Sequence, residues 1–337
     1  MPAPKISVVT PTFRRPEEVR GLLANLAEQT LKPWEVVLVD GASEDERETE
    51  KVIDELSKHD FGFKVVYIKR GGGTAIQRNI GIDAADGEFI SFIDDDVRLE
   101  RDFFAEIAKV FCSDESESIG GIVGYRVSSH FKLDETARWR WYKRLGLLTV
   151  FEPGRYDFKA GYPINNNLQP PFAGTRSVDF MTTACAVWRG RVFSDGLRFN
   201  EFFRDYGVLE DAHLSLRASR KWKLLQCGDA HCEELHSPNG RIDRRKYGYK
   251  CVVNYYFVFR DIAGPLSLNQ KFRFWRYQCF ELIRILASAI RRRNKSDLHD
   301  LQGRLKGMFI VFTGLEKSVK TNSPAFHAFN GENQPHK

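Results

Sequence analysis

The sequence predicts an α/β protein whose mostly parallel sheet is flanked by helices and followed by a helical extension. Three observations carry this. Apolar β-prone runs alternate with helical spacings through the first hundred residues. Polar and acidic residues gather where the apolar runs end, as at Phe89-Ile90-Ser91-Phe92-Ile93 followed by Asp94-Asp95-Asp96. Beyond about residue 240, basic and aromatic helical segments replace the alternation.

In chain order, Ile6 to Thr10 reads as a strand. Pro16 to Gln29 reads as a helix with Val19, Leu22, Leu23 and Leu26 on one side. Strands follow at Glu35 to Asp40, Lys64 to Ile68 and Phe89 to Ile93, with helices at Glu46 to Lys58 and Thr74 to Ala85 between them. Arg138 to Phe151 is rich in Trp, Tyr, Arg and Leu, and Glu152 to Thr175 reads as a long loop of the kind that often faces substrate. Val178 to Trp188 predicts a buried strand, and Leu209 to Trp222 a helix. Three further helices are expected at Lys246 to Arg260, Asn269 to Arg293 and Ser296 to Phe312, before a polar tail from Thr321 to Lys337. The expected division is 1–240 for a catalytic domain and 241–337 for a basic, aromatic helical extension.

The 337 residues carry 42% hydrophobic and 13% aromatic residues, enough for a sizeable core. A net charge of +6 suits an acidic ligand such as a nucleoside diphosphate, or an anionic membrane surface, without demanding nucleic acid. The six cysteines lack disulfide-framework spacing, which points to a reducing cytoplasm. Met1 to Lys5 leads straight into a strand-like run, with no signal core, and no apolar run is long enough to span a bilayer.

Several residues carry candidate chemistry, each with two readings. Asp94, Asp95 and Asp96 repel one another and resist desolvation, a conflict that a divalent cation shared with a diphosphate resolves. The other reading is a solvated loop, with Asp96 helping to start a helix near Arg101. Asp40 either accepts from a ribose or base, or closes its own turn. Gly71-Gly72-Gly73 before a helix either cradles phosphate or is a flexible turn. Arg78 either reaches a diphosphate or base, or is a surface charge. Glu210-Asp211 either suits a helix dipole, or supplies a general base in Asp211. Cys227, His231, Cys232 and His236 have poor zinc spacing, so a single His joining the carboxylates is preferred, with His236 ahead of His231 because Ser237-Pro238 turns beside it. Trp275, Arg276, Tyr277, Phe280, Leu282, Ile283, Leu286 and Ile290 read mainly as core packing, with Arg291-Arg292-Arg293 meeting anionic lipid as the alternative.

Taken together, Ile6 to Arg15, Val36 to Ser43, Arg78 to Ile82, Ala85 to Ile90, Asp94 to Asp96 and Glu210-Asp211 resemble the family 2 glycosyltransferases, which have the GT-A fold. The resemblance covers roughly residues 5 to 240. It implies a GT-A-like nucleotide-binding sheet and an inverting sugar transfer from a nucleoside-diphosphate sugar, usually a UDP- or dTDP-sugar. It also implies that Pro11, Thr12 and Asp40 line the base and ribose pocket, with Arg78, Asp94 and Asp95 near the nucleotide. Asp96, joined more loosely by His236, would hold Mn²⁺ or Mg²⁺, and Asp211 would be the catalytic base.

Arg14 departs from the family's usual Asn, and the Gln-x-x-Arg-Trp signature of processive synthases is missing, which implies addition of one sugar. The expected acceptor is a glycan or lipid-linked glycan of surface polysaccharide or glycolipid assembly, reached from the cytoplasm with peripheral contact at the inner membrane face. The rivals are a nucleotidyltransferase acting on sugar phosphates, which would carry a Gly-rich loop after the first strand, and an inactive nucleotide-sugar-binding protein.

Overall fold

The computed structural model describes residues 4–127, 133–168, 170–236 and 242–314. The expected turn at Ser237-Pro238 and the tail from Thr321 lie outside the described residues. The first stretch runs β1 (Ile6–Thr12), α1 (Pro16–Ala27), β2 (Glu35–Asp40), α2 (Glu48–Leu56), β3 (Lys64–Lys69), α3 (Thr74–Ala84) and β4 (Phe89–Ile93). Next come β5 (Val97–Leu99), α4 (Phe103–Cys112), β6 (Ile119–Arg126), α5 (Leu133–Arg144), β7 (Tyr156–Asp157), β8 (Tyr162–Pro163), β9 (Thr175–Ser177) and β10 (Cys185–Arg189). The chain continues through α6 (Arg191–Ser194), α7 (Glu210–Ala218), β11 (Lys223–Glu234), α8 (Arg244–Ala263), α9 (Leu268–Arg292) and α10 (Lys295–Thr313).

The main sheet has the order β3-β2-β1-β4-β10-β6-β11-β5, with β9 beside β11. β1 pairs in parallel with β2 and β4, and β2 with β3. Every residue of β1 and β2 is buried, as expected for strands covered on both faces. α1 follows its sequence pattern: Pro16 opens it, Glu17 and Glu18 occupy the first turn, and Val19, Leu22, Leu23 and Leu26 are buried.

The second half of the sheet departs from expectation. β10 (Cys185–Arg189) runs antiparallel to β4 and β6, so of the expected Val178–Trp188 strand only the part from Cys185 onward is extended in the sheet. The residues before it bond elsewhere: Val178 N donates to Leu224 O at 3.0 Å and Asp179 N to Gly154 O at 2.8 Å. Met181 N donates to Ser215 Oγ at 3.0 Å. β6 carries three glycines, and a Cβ on Gly124 would sit 2.3 Å from Phe103, so close packing takes precedence over strand propensity. β11 is polar and irregular, with a register shift between Gln226 and His231. The expected loop from Glu152 to Thr175 contains the β7–β8 pair, and α7 ends four residues before the expected Trp222.

The chain divides into two compact units, Met1–Arg241 with Val258–Tyr277, and Ile242–Phe257 with Gln278–Lys337. In the second unit, α10 packs on the first turns of α8 through small residues. A Cβ on Gly248 would meet Asp300 O at 2.2 Å, and one on Gly303 would meet Arg245 O at 1.9 Å. Among the described residues, no helix is long and apolar enough to cross a membrane.

Candidate active site

The parallel strands end on one edge of the sheet, and ligands of such sheets gather there. β1 delivers Pro11 and Thr12, and the turn after β4 delivers Asp94, Asp95 and Asp96. The reversal of β10 brings its preceding residues Thr182 to Ala184 to the same edge, since Cys185 pairs with Ile93. Arg126 at the end of β6, Glu234 at the end of β11 and Glu210-Asp211 at the start of α7 complete a cleft of about 320 Å³.

The acidic run is held by arginines. Thr12 Oγ1 donates to Asp95 Oδ2 at 2.7 Å, and Arg15 Nη1 to Asp95 Oδ1 at 2.7 Å. Asp95 is 3% exposed, and burial raises its pKa to about 6 although Arg15 and Thr12 pull the other way. The Arg15 Nη1 also lies 3.6 Å from Asp96 Oδ2. Arg78 is buried in α3 and forks, with Nη2 donating to Asp94 Oδ1 at 2.8 Å and Nη1 to Glu210 Oε1 at 3.0 Å. Gln77 fastens the strand ends behind it, its Nε2 donating to Thr12 O at 2.9 Å and to Val39 O at 2.7 Å.

Asp211 arrives through a constrained approach. Asp205 and Leu209 both take left-handed conformations, at φ 62° and 69°. Thr74 N donates to Asp205 O at 3.2 Å, so this loop docks on the glycine-rich turn that opens α3. Gly73 sits there at φ 93°, and a Cβ would come within 2.2 Å of Asp205 O. Asp211 is half-buried in the cleft wall. Burial, then the like charge of Glu210, raises its pKa to about 7, while Ala212 N donating to it works against the shift. Deeper in α7, His213 Nε2 lies 2.8 Å from Asp261 Oδ2.

Pro11, Thr12, Arg78, Asp94, Asp95, Asp96 and Asp211 therefore share one cleft. Asp40 does not line it. Its carboxylate is 1% exposed and accepts from Ala42 N at 2.9 Å and Tyr67 Oη at 2.8 Å, the geometry of a turn-closing aspartate. Nor does His236 line the cleft; its Nδ1 lies 2.9 Å from Glu234 Oε1 at φ 55°. His231 Nδ1 faces Glu100 Oε2 at 3.1 Å. Arg78 is a buried ion-pair partner rather than a surface charge.

Sequence reasoning missed Arg15, Glu210, Arg126 and Glu234 as cleft residues. Arg15 and Glu210 sit inside motifs already singled out, whereas Arg126 and Glu234 end strands that the sequence did not reveal.

Among the described residues, no three His, Cys, Asp or Glu groups gather as a metal cage. Cys227, His231, Cys232 and His236 are accordingly not gathered into one group. A different donor set does fit a cation. Both oxygens of Asp95 are engaged by Thr12 and Arg15, and Asp94 is engaged by Arg78. Asp96 stands on the cleft wall beside them, its Oδ2 3.6 Å from Arg15 Nη1, and offers a carboxylate to a hard cation. Mg²⁺-type ions are commonly held by one or two carboxylates plus substrate phosphates, not by an all-protein cage.

The sequence profile described as Glycosyl transferase family 2 matches residues 7–177, just over half of the chain. The chain belongs to glycosyl transferase family 2. The match decides against the nucleotidyltransferase reading. This family 2 glycosyltransferase is similar to the putative teichuronic acid biosynthesis glycosyltransferase TuaG of Bacillus subtilis. The two are 28% identical over 99 residues, which are 29% of this chain and 38% of TuaG. The chain spans about a third of the length of the curated relatives it matches.

Among solved structures, it is similar to S. aureus TarS 1-349 in complex with UDP-GlcNAc, at a TM-score of 0.51 and 15% identity, covering 81% of this chain and 71% of that one. The mannosyltransferase PcManGT from Pyrobaculum calidifontis, in complex with GDP-Man and Mn²⁺, gives a TM-score of 0.54 at 16% identity, with 90% and 87% covered. At such identities the likeness establishes the shared fold: a large, mostly parallel sheet flanked by helices.

Proposed function

We propose that the protein moves one sugar, with inversion, from a nucleoside-diphosphate sugar to an acceptor hydroxyl, in a surface polysaccharide or glycolipid assembled from the cytoplasmic side. The observation that carries this reading is that Asp96 and Asp211 line the same cleft. Pro11, Thr12 and Arg78 bind the nucleotide in this proposal, Asp94 and Asp95 support it, and UDP- or dTDP-sugars are the expected donors. Complexes of the TarS and PcManGT folds with UDP-GlcNAc and with GDP-Man and Mn²⁺ support a nucleotide sugar and a divalent ion.

Asp96 would hold Mn²⁺ or Mg²⁺, which when bound supplies positive charge against the diphosphate. Arg15 and Arg78 keep the flanking carboxylates oriented, so that Asp96 meets the donor without the repulsion of an unpaired acidic run. Asp211 accepts the proton of the acceptor hydroxyl. The oxygen of that hydroxyl attacks the anomeric carbon from the face opposite the leaving group. The new C–O bond forms as the bond to the diphosphate breaks, and the nucleoside diphosphate departs with the electron pair. Asp211 suits this step because a pKa of about 7 makes it a stronger base than an ordinary carboxylate while it remains substantially ionised near neutrality. Thr182 and Thr183 line the same cleft and would supply hydroxyls to the acceptor.

The test is a panel of UDP-, dTDP- and GDP-sugars incubated with the protein and Mn²⁺, reading nucleoside diphosphate release with and without candidate glycan acceptors. Release that Asp211→Asn lowers by about 10²–10⁴-fold while donor binding persists supports the reading. Tight donor binding with no release from any sugar would instead make this a binding protein. Asp96→Ala should remove the Mn²⁺-dependent part of donor binding, and EDTA should do the same to the wild type.

A further inference from the structure

We propose that the second unit docks on anionic lipid bilayers through the outward faces of α10 and the second half of α9. The case rests on an inverted helix pattern and is independent of the catalytic reading. In α10, the face packed inward carries Asp300, Gly303, Arg304, Gly307 and Val311. Asp300 Oδ1 accepts from Arg304 Nε at 2.9 Å, and the glycines let α8 approach closely. The opposite face, where solvent-compatible residues belong, carries Leu298, Leu305, Phe309 and Phe312 at helical spacing, all exposed.

In the second half of α9 the buried face mixes polar Gln278 and Glu281 with apolar Ile285 and Ala289, and large apolar residues stand on the other side as well. Gln278 and Glu281 are each 1% exposed, whereas Ile283 and Ile290 are 67% and 69% exposed, with Leu286 exposed beside them. Large apolar side chains exposed along one face of a helix mark an interaction site. The charge identifies the partner. The turn between the two helices exposes Arg291, Arg292, Arg293 and Lys295. Basic residues next to exposed apolar side chains match phosphate headgroups above acyl chains. A second copy of the chain would bring the same cations against each other. Among the described residues no helix can span a bilayer, so the helices lie on its surface.

The experiment sediments the full chain with vesicles of phosphatidylcholine alone and with vesicles containing roughly a third phosphatidylglycerol. Wild type should co-sediment with the anionic vesicles, and Ile290→Ser/Phe309→Ser/Phe312→Ser should bind them at least about tenfold less tightly. Because those side chains are exposed, circular dichroism and the melting temperature should stay near wild type. Arg291→Gln/Arg293→Gln should lose the preference for anionic over neutral vesicles and its salt dependence. Should the serine variant fail to fold, this second variant still decides: an unchanged anionic preference overturns the proposal. Wild type remaining in the supernatant with both vesicles also overturns it. So does a concentration-dependent dimer, seen by analytical ultracentrifugation, that the serine substitutions abolish while vesicles bind nothing.

Discussion

Arg78 Nη1 and Glu210 Oε1 form a 3.0 Å ion pair across 132 residues of sequence. With the 2.8 Å bond from the other nitrogen to Asp94, one buried guanidinium joins the strand-end carboxylates to the helix that begins at Glu210. Removing it leaves Asp94 and Glu210 uncompensated. We expect Arg78→Met to destabilise the protein by about 3–5 kcal/mol, measured by urea denaturation. Arg78→Lys should recover only part of the loss, because an ammonium cannot fork to both partners. A loss of under about 1 kcal/mol in Arg78→Met would refute the bridging role.

Transfer should depend on pH through Asp211. Its raised pKa means that the acid form persists to about 7, so kcat/KM should climb as pH rises through that value. Glu210 contributes to the shift by like charge. In Glu210→Gln the acidic limb should therefore move to lower pH, as read from a pH–rate profile with a saturating divalent ion. A limb that does not move would remove Glu210 from the tuning of this base.

Asp95 makes a stability prediction of defined sign. Its folded-state pKa of about 6 exceeds the ordinary value of 3.8, so the native state binds the extra proton between them. The stabilisation from this group is complete below about pH 4 and is lost as pH rises through 6. Against Asp95→Asn, which mimics the protonated form, wild type should lose at most about 3 kcal/mol of relative stability between pH 4 and pH 7. Paired denaturant titrations across that range measure it, and a difference that grows with pH in wild type's favour would contradict the assignment.

Gly73→Ala tests the docking of the loop ahead of α7. The substitution places a side chain at φ 93° and drives it to 2.2 Å from Asp205 O, a backbone atom that cannot swing away. We expect a loss of about 1–3 kcal/mol, together with a drop in kcat larger than any change in donor affinity, because Asp211 follows that loop. Unchanged melting and turnover would show that the loop adapts freely.

The first half of the fold was legible because β1 to β4 and their helices are regular: continuous apolar strands, a proline-opened α1, and acidic residues at the rims. The carboxylate run stood out as charge interrupting a strong apolar pattern, whereas Asp211 was singled out as the base through the family resemblance, and the two share one cleft. The second half was not, since β6 is built of glycines chosen for close packing and β11 of polar residues with a register shift. Arg126 and Glu234, which end those two strands, were invisible with them. Asp40 shows the opposite limit. Its position at a strand end matched the expected pocket, but Tyr67 and Ala42 N take up its carboxylate, and only coordinates reveal that.

The reversed course of β10 separates two kinds of change that could otherwise interfere. Its neighbours β4 and β6 reach the cleft with their exits, at Asp94 to Asp96 and at Arg126, while β10 reaches it with the residues that precede its pairing. Substitutions upstream of Cys185 can thus reshape the cleft wall and leave the strand register behind it intact. One wall of the cleft can vary while the strands that carry the acidic run keep their pairing.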